Sequence, residues 1–234
     1  DNDGDLDLYI SNYGWADFPN LTTGTQGVPN ILFANKGDGT FNDVTAYAGV
    51  GNPGHSTNGI WADYDHDGDE DLFTANGHIL AHVEMLSGVI THAQANQLWR
   101  NDGGTFSDVS AFIERRVSRG SALADWDLDG DLDLVVSNNG GRAVLLRNDG
   151  DKGKHWLQVV LPPARGVGAK VWVEAGGRLQ LREFGMAGGY LSQGELVAHF
   201  GLGAAQRALV RVVWPDGRET RAGEVVADQR VGVD

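Results

Sequence analysis

Apolar and polar residues alternate in short runs along most of the chain. Leu6-Asp7-Leu8-Tyr9-Ile10 and Leu132-Asp133-Leu134-Val135-Val136 have the two-residue period and the β-branched or aromatic content of strands. Lys170-Val171-Trp172-Val173-Glu174 and Val210-Arg211-Val212-Val213-Trp214 continue that character towards the C-terminus. Between the runs stand Lys36-Gly37-Asp38-Gly39, Asn101-Asp102-Gly103-Gly104, Gly176-Gly177 and Asp216-Gly217. These read as hairpin turns, because Gly and Asn/Asp tolerate positive φ. One segment departs from the strand pattern. From about Ile79 to Leu98 the apolar residues fall at a loose helical spacing, which predicts a helical insertion. Trp61, Trp99 and Trp126 fall on strand positions and are expected to pack in the core rather than form a platform for sugars.

The pattern repeats. Asp1-Asn2-Asp3-Gly4-Asp5-Leu6-Asp7-Leu8 recurs as Asp65-His66-Asp67-Gly68-Asp69-Glu70-Asp71-Leu72 and as Asp127-Leu128-Asp129-Gly130-Asp131-Leu132-Asp133-Leu134. A second motif follows each copy: Ile31 to Thr45 matches Gln97 to Ser110, and a third version starts at Leu145-Leu146-Arg147-Asn148-Asp149-Gly150. Each unit reads as strand, acidic loop, strand, variable stretch, strand, glycine turn, strand. About four strands per unit is one propeller blade. The fold class expected is therefore all-β: a partial β-propeller over residues 1–150, then a small β-rich domain over 151–234. Because Asp1 falls inside a motif, the chain is expected to be the C-terminal part of a longer protein with further blades upstream.

Charge sharpens the reading. The net charge of −14 is uneven: residues 1–150 carry 23 Asp/Glu against 7 Lys/Arg, and residues 151–234 carry 9 against 11. Fifteen of those 23 acids sit in the clusters 1–7, 63–71 and 125–133. Carboxylates crowded in this way repel unless a cation joins them, so a metal is the expected partner. The same sign of charge disfavours nucleic acid. With no cysteine, disulfides, thiolate metal sites and thiol catalysis are excluded. No apolar run is long enough to span a membrane.

The complete loop is Asp63-x-Asp65-x-Asp67-Gly68-Asp69-x-Asp71, repeated as Asp125-x-Asp127-x-Asp129-Gly130-Asp131-x-Asp133. Positions 1, 3 and 5 can converge on one ion, and glycine at position 6 allows a sharp turn. Position 7 offers a backbone carbonyl, and position 9 closes the shell with a carboxylate. Hard oxygen donors in that number suit Ca²⁺ better than Mg²⁺. An EF-hand is excluded, because position 12 is Thr74 or Val136, in strand sequence where an EF-hand needs Glu followed by a helix. The first copy lacks the leading position and keeps Asp1, Asp3 and Asp7 as side-chain candidates, with Asp5 at the carbonyl position. A saturated oxygen shell leaves no open place for substrate, so a structural ion is expected.

The repeats resemble FG-GAP/VCBS repeats, the calcium-loop blades also found in integrin α-chain propellers. The tail is similar to the ASPIC/UnbV domain of the cartilage acidic protein 1 family. It carries His155-Trp156-Leu157, Gly166-Val167-Gly168-Ala169-Lys170-Val171, Gly188-Gly189-Tyr190-Leu191-Ser192-Gln193, His199-Phe200-Gly201-Leu202-Gly203 and Val213-Trp214-Pro215-Asp216-Gly217 in that order. Asn76-Gly77-His78 also fits this resemblance. It implies a secreted or cell-envelope protein, extracellular or periplasmic, with a calcium-bearing propeller and no known enzymatic activity.

The expected function is thus non-enzymatic: a calcium-stabilised repeat module for adhesion or for binding a protein or glycan. The alternative is an enzyme with its active site on the propeller face or in an upstream region. Its local foothold is His78, His82, Glu84 and His92, whose spacing is also the weak outline of a zinc site. Ser192 lacks a nucleophile elbow. His155 and His199, beside Trp156 and Phe200, are expected to pack or hydrogen-bond rather than catalyse. Asn20-Leu21-Thr22 is a glycosylation sequon.

Overall fold

The structure is a computed structural model that describes residues 3–13, 28–52, 54–150, 153–185 and 189–234. The Asn20 sequon and Asp1 lie outside the described residues.

Strands dominate, as the alternation predicts. The first repeat forms a three-stranded antiparallel sheet from β1 (Leu8–Ile10), β2 (Ile31–Asn35) and β3 (Phe41–Asp43). The second forms a four-stranded antiparallel meander from β4 (Ser56–Ala62), β5 (Asp71–Asn76), β6 (Gln97–Asp102) and β7 (Thr105–Asp108). The third contributes β8 (Ser118–Ala124), β9 (Asp133–Asn138) and β10 (Val144–Leu146). These sheets are separate, and the described residues form no closed ring.

Strand β5 shows how the sheets are held face to face. All six of its residues are buried. Successive side chains of a strand point to opposite faces. Leu72 accordingly joins Leu32, Ala48, Val50 and Trp99 in a core against the first sheet. Phe73 and Ala75 join Ile60, Leu134 and Val136 in a core against the third. Trp61 packs at the edge of the first of these cores, with Tyr9 at a ring separation of 6.0 Å.

Between the sheets runs a relay of polar side chains that composition alone does not reveal. Asn30 Nδ2 donates to Ser56 Oγ at 2.8 Å, and Ser56 Oγ donates to Asn76 Oδ1 at 2.7 Å. One repeat later, Asn96 Nδ2 donates to Ser118 Oγ at 2.9 Å, and Ser118 Oγ donates to Asn138 Oδ1 at 2.8 Å. Each relay links the residue preceding β2 or β6 to the first two strands of the next repeat. Buried polar groups paired in this way avoid the desolvation cost of an unmade bond.

Strands from His155 onward build two further sheets. β11 (His155–Val160) lies between β14 (Ala198–Gly203), antiparallel, and β17 (Gln229–Gly232), parallel. β12 (Ala169–Ala175) and β13 (Arg178–Phe184) pair through Gly176-Gly177, both at positive φ, and β15 (Arg207–Val213) and β16 (Glu219–Val226) complete a four-stranded sheet. The two sheets enclose one apolar core that includes Leu157, Val171, Phe200, Val210 and Trp214.

Two expectations are corrected. Residues 79–96 are not a helix: they form bends around a single 3₁₀ turn at Val83–Met85, and Gln97 already belongs to β6. Side chains there take backbone donors that a helix would use. Ser87 Oγ accepts from the amides of Val89 and Ile90, and Glu84 accepts from the amide of His92. Trp126 is not on a strand; it sits in the third acidic loop and is 69% exposed. Among the described residues, no helix is long and apolar enough to cross a membrane.

Candidate metal centre

The acidic loops owe their shape to backbone positions that recur between copies. The sixth-position glycines Gly4, Gly68 and Gly130 have φ of 101°, 91° and 100°. His66 and Leu128, both at position 4, are left-handed at φ of 60° and 62°. The position-5 carboxylates of Asp3, Asp67 and Asp129 each accept from the amide two residues on, at 2.9, 2.9 and 3.0 Å. Such turns curl the loop so that alternate side chains face inward.

Position 9 anchors the loop to its sheet. Asp71 accepts from Tyr64 N at 3.0 Å and from Asn101 N at 2.8 Å. Asp133 accepts from Trp126 N at 2.9 Å and from Asn148 N at 2.8 Å. Asp7 accepts from Asn35 N at 2.8 Å. Asn35, Asn101 and Asn148 stand at equivalent places in the second repeated motif, just before its glycine turn, so the two motifs travel together because they are hydrogen-bonded to each other.

Two carboxylate groups converge. Asp63, Asp65 and Asp71 present oxygens within 4.8 Å of one another, and so do Asp125, Asp127 and Asp129. The second loop thus unites positions 1, 3 and 9, and the third unites positions 1, 3 and 5. Asp67 and Asp133 stay outside these groups, as do the side chains of Asp69 and Asp131. In the first loop Asp3, Asp5 and Asp7 form no such group among the described residues.

Burial raises several of these acids. It pushes Asp63 to about 7, Asp71 to about 8 and Asp131 to about 6, and moves Asp67 and Asp129 upward. Asp125 is 7% exposed, and its Oδ1 has no hydrogen-bond partner. A buried, orphaned carboxylate oxygen in an all-oxygen cluster fits a hard divalent cation such as Ca²⁺.

The C-terminal sheets sit directly on the second and third loops, a contact that no sequence spacing signals. Asp63 Oδ2 accepts from Gly201 N at 3.0 Å, and His66 O accepts from Gly203 N at 2.8 Å. Gln158 Nε2 donates to Asp125 Oδ2 at 3.0 Å, and His199 Nε2 lies 3.0 Å from Gly130 O. Lys154 Nζ is 3.3 Å from Asp65, Arg178 Nη1 is 3.0 Å from Asp69, and Arg182 Nε is 2.9 Å from Glu70. Trp156 covers Gly130 so closely that a Cβ there would come within 1.8 Å of the indole. The uneven charge of the two halves is a sequence signal for this contact that reading the acids as metal ligands alone does not use.

The histidine foothold does not assemble. No three of His78, His82, Glu84 and His92 bring ligand atoms together. His78 instead packs its ring 4.5 Å from that of His55, its Nδ1 accepts from Leu80 N, and its carbonyl accepts from Arg119. Burial lowers His78 and takes His55 down to about 4. His199 is buried beside His66 and Trp156, as packing requires, while His155 pairs with Asp228 at 2.7 Å. Ser192 Oγ donates to the carbonyl of Tyr190 at 3.1 Å.

Comparison with known proteins agrees with the motifs. Residues 1–74 match the FG-GAP-like repeat, and residues 162–234 match the ASPIC and UnbV family. The chain is 30% identical to cartilage acidic protein 1 of Homo sapiens over 250 aligned positions, covering 81% of this chain and 38% of that protein. The proteins of the same name from Mus musculus and Xenopus tropicalis are 29% and 28% identical, with the same coverage. The chain therefore spans about 38% of the length of these relatives.

Proposed function

For a chain with an FG-GAP-like repeat at one end and an ASPIC/UnbV match at the other, we propose a non-enzymatic, calcium-stabilised binding module. Ca²⁺ is held by the acidic loops. The side-chain donors are Asp63, Asp65, Asp67 and Asp71 in one loop and Asp125, Asp127, Asp129 and Asp133 in the next, with the carbonyls of Asp69 and Asp131. The first loop adds Asp1, Asp3 and Asp7, and the carbonyl of Asp5. The repeats are β-propeller blades over residues 1–150, and residues 151–234 form the second unit. The module works outside the cytoplasm, in the extracellular space or cell envelope, and its partner is a protein or a glycan.

The observation that carries this reading is the convergence of three carboxylates in each of two loops, each with a buried oxygen that makes no hydrogen bond, Asp65 Oδ1 in one and Asp125 Oδ1 in the other. Such a cluster is self-repelling until a cation neutralises it, so ion binding and folding are linked. At free calcium about 100 times Kd, each site adds about 2.7 kcal/mol. For a chain of this size that is a rise in Tm of about 5–10 °C per site. Thermal melts in calcium and in chelator test it; coincident melts refute it.

A further inference from the structure

The two complete acidic loops have nearly the same sequence but different surroundings. From this difference, and resting on the calcium reading above, we propose that they are not equivalent sites. The third loop binds the ion tightly, while the second, partly neutralised from within by Lys154 just before β11 and Arg178 of β13, binds it more weakly and serves to seat the C-terminal sheets.

The first-position aspartates show the contrast. Asp63 is satisfied by backbone: its oxygens accept from Asp67 N at 3.1 Å, Gly68 N at 2.8 Å and Gly201 N at 3.0 Å. Asp125 accepts from Gln158 Nε2 alone, and its buried Oδ1 is left without a partner beside Asp127 and Asp129. Gln158 is thus a positioning residue. Its own Oε1 accepts from Arg230 Nε at 3.0 Å, which orients the amide so that its nitrogen faces Asp125.

The cations differ in the same sense. At the second loop, Lys154 stands 3.3 Å from Asp65. Arg178 bridges Asp69 and the carbonyl of Asp67, both at 3.0 Å. At the third loop the described residues place the buried His66 ring 3.5 Å from Asp131, and Arg147 3.7 Å from Asp127 but 2.6 Å from Asp149 and 58% exposed. An exposed pair of that kind is weak and easily exchanged. A calcium ion entering the second loop must displace the ammonium from Asp65 and then sit near two fixed positive charges. Asp65 Oδ1 and Asp125 Oδ1 are both buried without a hydrogen bond, but the first faces the Lys154 ammonium whereas the second has no ion pair among the described residues.

Calcium titration calorimetry on the chain and its variants tests this, with circular dichroism to confirm folding. Asp125→Asn is expected to abolish the tightest site, and Asp65→Asn to leave it within about twofold. The double variant Lys154→Met/Arg178→Met is expected to bind at the second loop at least about tenfold more tightly than wild type. Terbium supplies an independent location. Trp126 lies between Asp125 and Asp127, whereas the second loop carries Tyr64 at that place. Because Trp156 also lies on Gly130 of the third loop, tryptophan-sensitised terbium emission should fall sharply only in Trp126→Phe/Trp156→Phe, which removes both sensitisers. This arm holds even if Asp125→Asn fails to fold. The proposal is overturned if Asp65→Asn removes a site as tight as the one lost in Asp125→Asn. It is equally overturned if Lys154→Met/Arg178→Met binds calcium as wild type does, or if terbium emission survives unchanged in Trp126→Phe/Trp156→Phe. Absence of any binding by the wild type overturns the calcium reading itself, and this inference with it.

Discussion

Raising the pH in chelator should destabilise the chain, and calcium should abolish the effect. Asp63 and Asp71 are each 1% exposed, and burial raises them to about 7 and about 8. In the unfolded chain both return to the ordinary carboxylate range near 3.8. At pH 6.5 the folded protein therefore holds protons that the unfolded chain does not. Stability then falls as pH rises through the folded values, at up to about 1.4 kcal/mol per pH unit for each excess proton. Buried histidines act in the opposite direction, but lower down. Burial takes His55 to about 4 and His199 to about 3, so their effect is confined below the unfolded histidine value of 6.5. Between pH 6.5 and 8 the carboxylates act alone among these groups. The loss over that window is about 2–3 kcal/mol, or about 4–12 °C in Tm. Scanning calorimetry in chelator at half-unit steps measures it. The same scans in millimolar calcium should be flat, because a bound cation keeps the acids ionised in the folded state. A chelated Tm that is constant or rises from pH 6.5 to 8 would refute the reasoning.

Two further substitutions test the packing around the loops. Gly130→Ala forces a side chain onto a backbone with φ of 100° and drives a Cβ to 1.8 Å from the Trp156 indole. A loss of about 2–5 kcal/mol is expected by chemical denaturation. The control Gly103→Ala, with φ of 63° and nothing near the new Cβ, should lose about 1–2 kcal/mol. Ser118→Ala removes the middle of the second polar relay and leaves Asn96 Nδ2 and Asn138 Oδ1 short of a partner. About 1–3 kcal/mol should be lost, with the amides of β8 and β9 exchanging faster.

Much of the candidate site was legible because its geometry is local. Gly68 and Gly130 stand where the loop turns at positive φ, and the alternate aspartates follow from that turn. The insertion failed for the converse reason. Apolar spacing over residues 79–98 suggested a helix, but Ser87 and Glu84 capture the local amides, a competition that periodicity does not register. Trp126 was misplaced because a tryptophan beside a strand pattern reads as core, whereas here it belongs to a loop and faces solvent. The relay of Asn30, Ser56 and Asn76 went unseen because single polar residues in strands carry no periodic signal.

The sequence by itself determined the repeat, the strand and turn pattern, the absence of thiol chemistry and the candidate carboxylates. Each of these depends on residues a few positions apart. Tertiary structure decided which carboxylates meet and what faces them. Asp63 is bonded to Gly201, 138 residues away, and Asp125 to Gln158, 33 residues away. Lys154 and Arg178 reach the second loop only because β11 and β13 are carried there by a core of their own. Two loops that read alike are therefore set in different electrostatic surroundings, since the potential at a carboxylate depends on what is near it in space, whatever the separation along the chain.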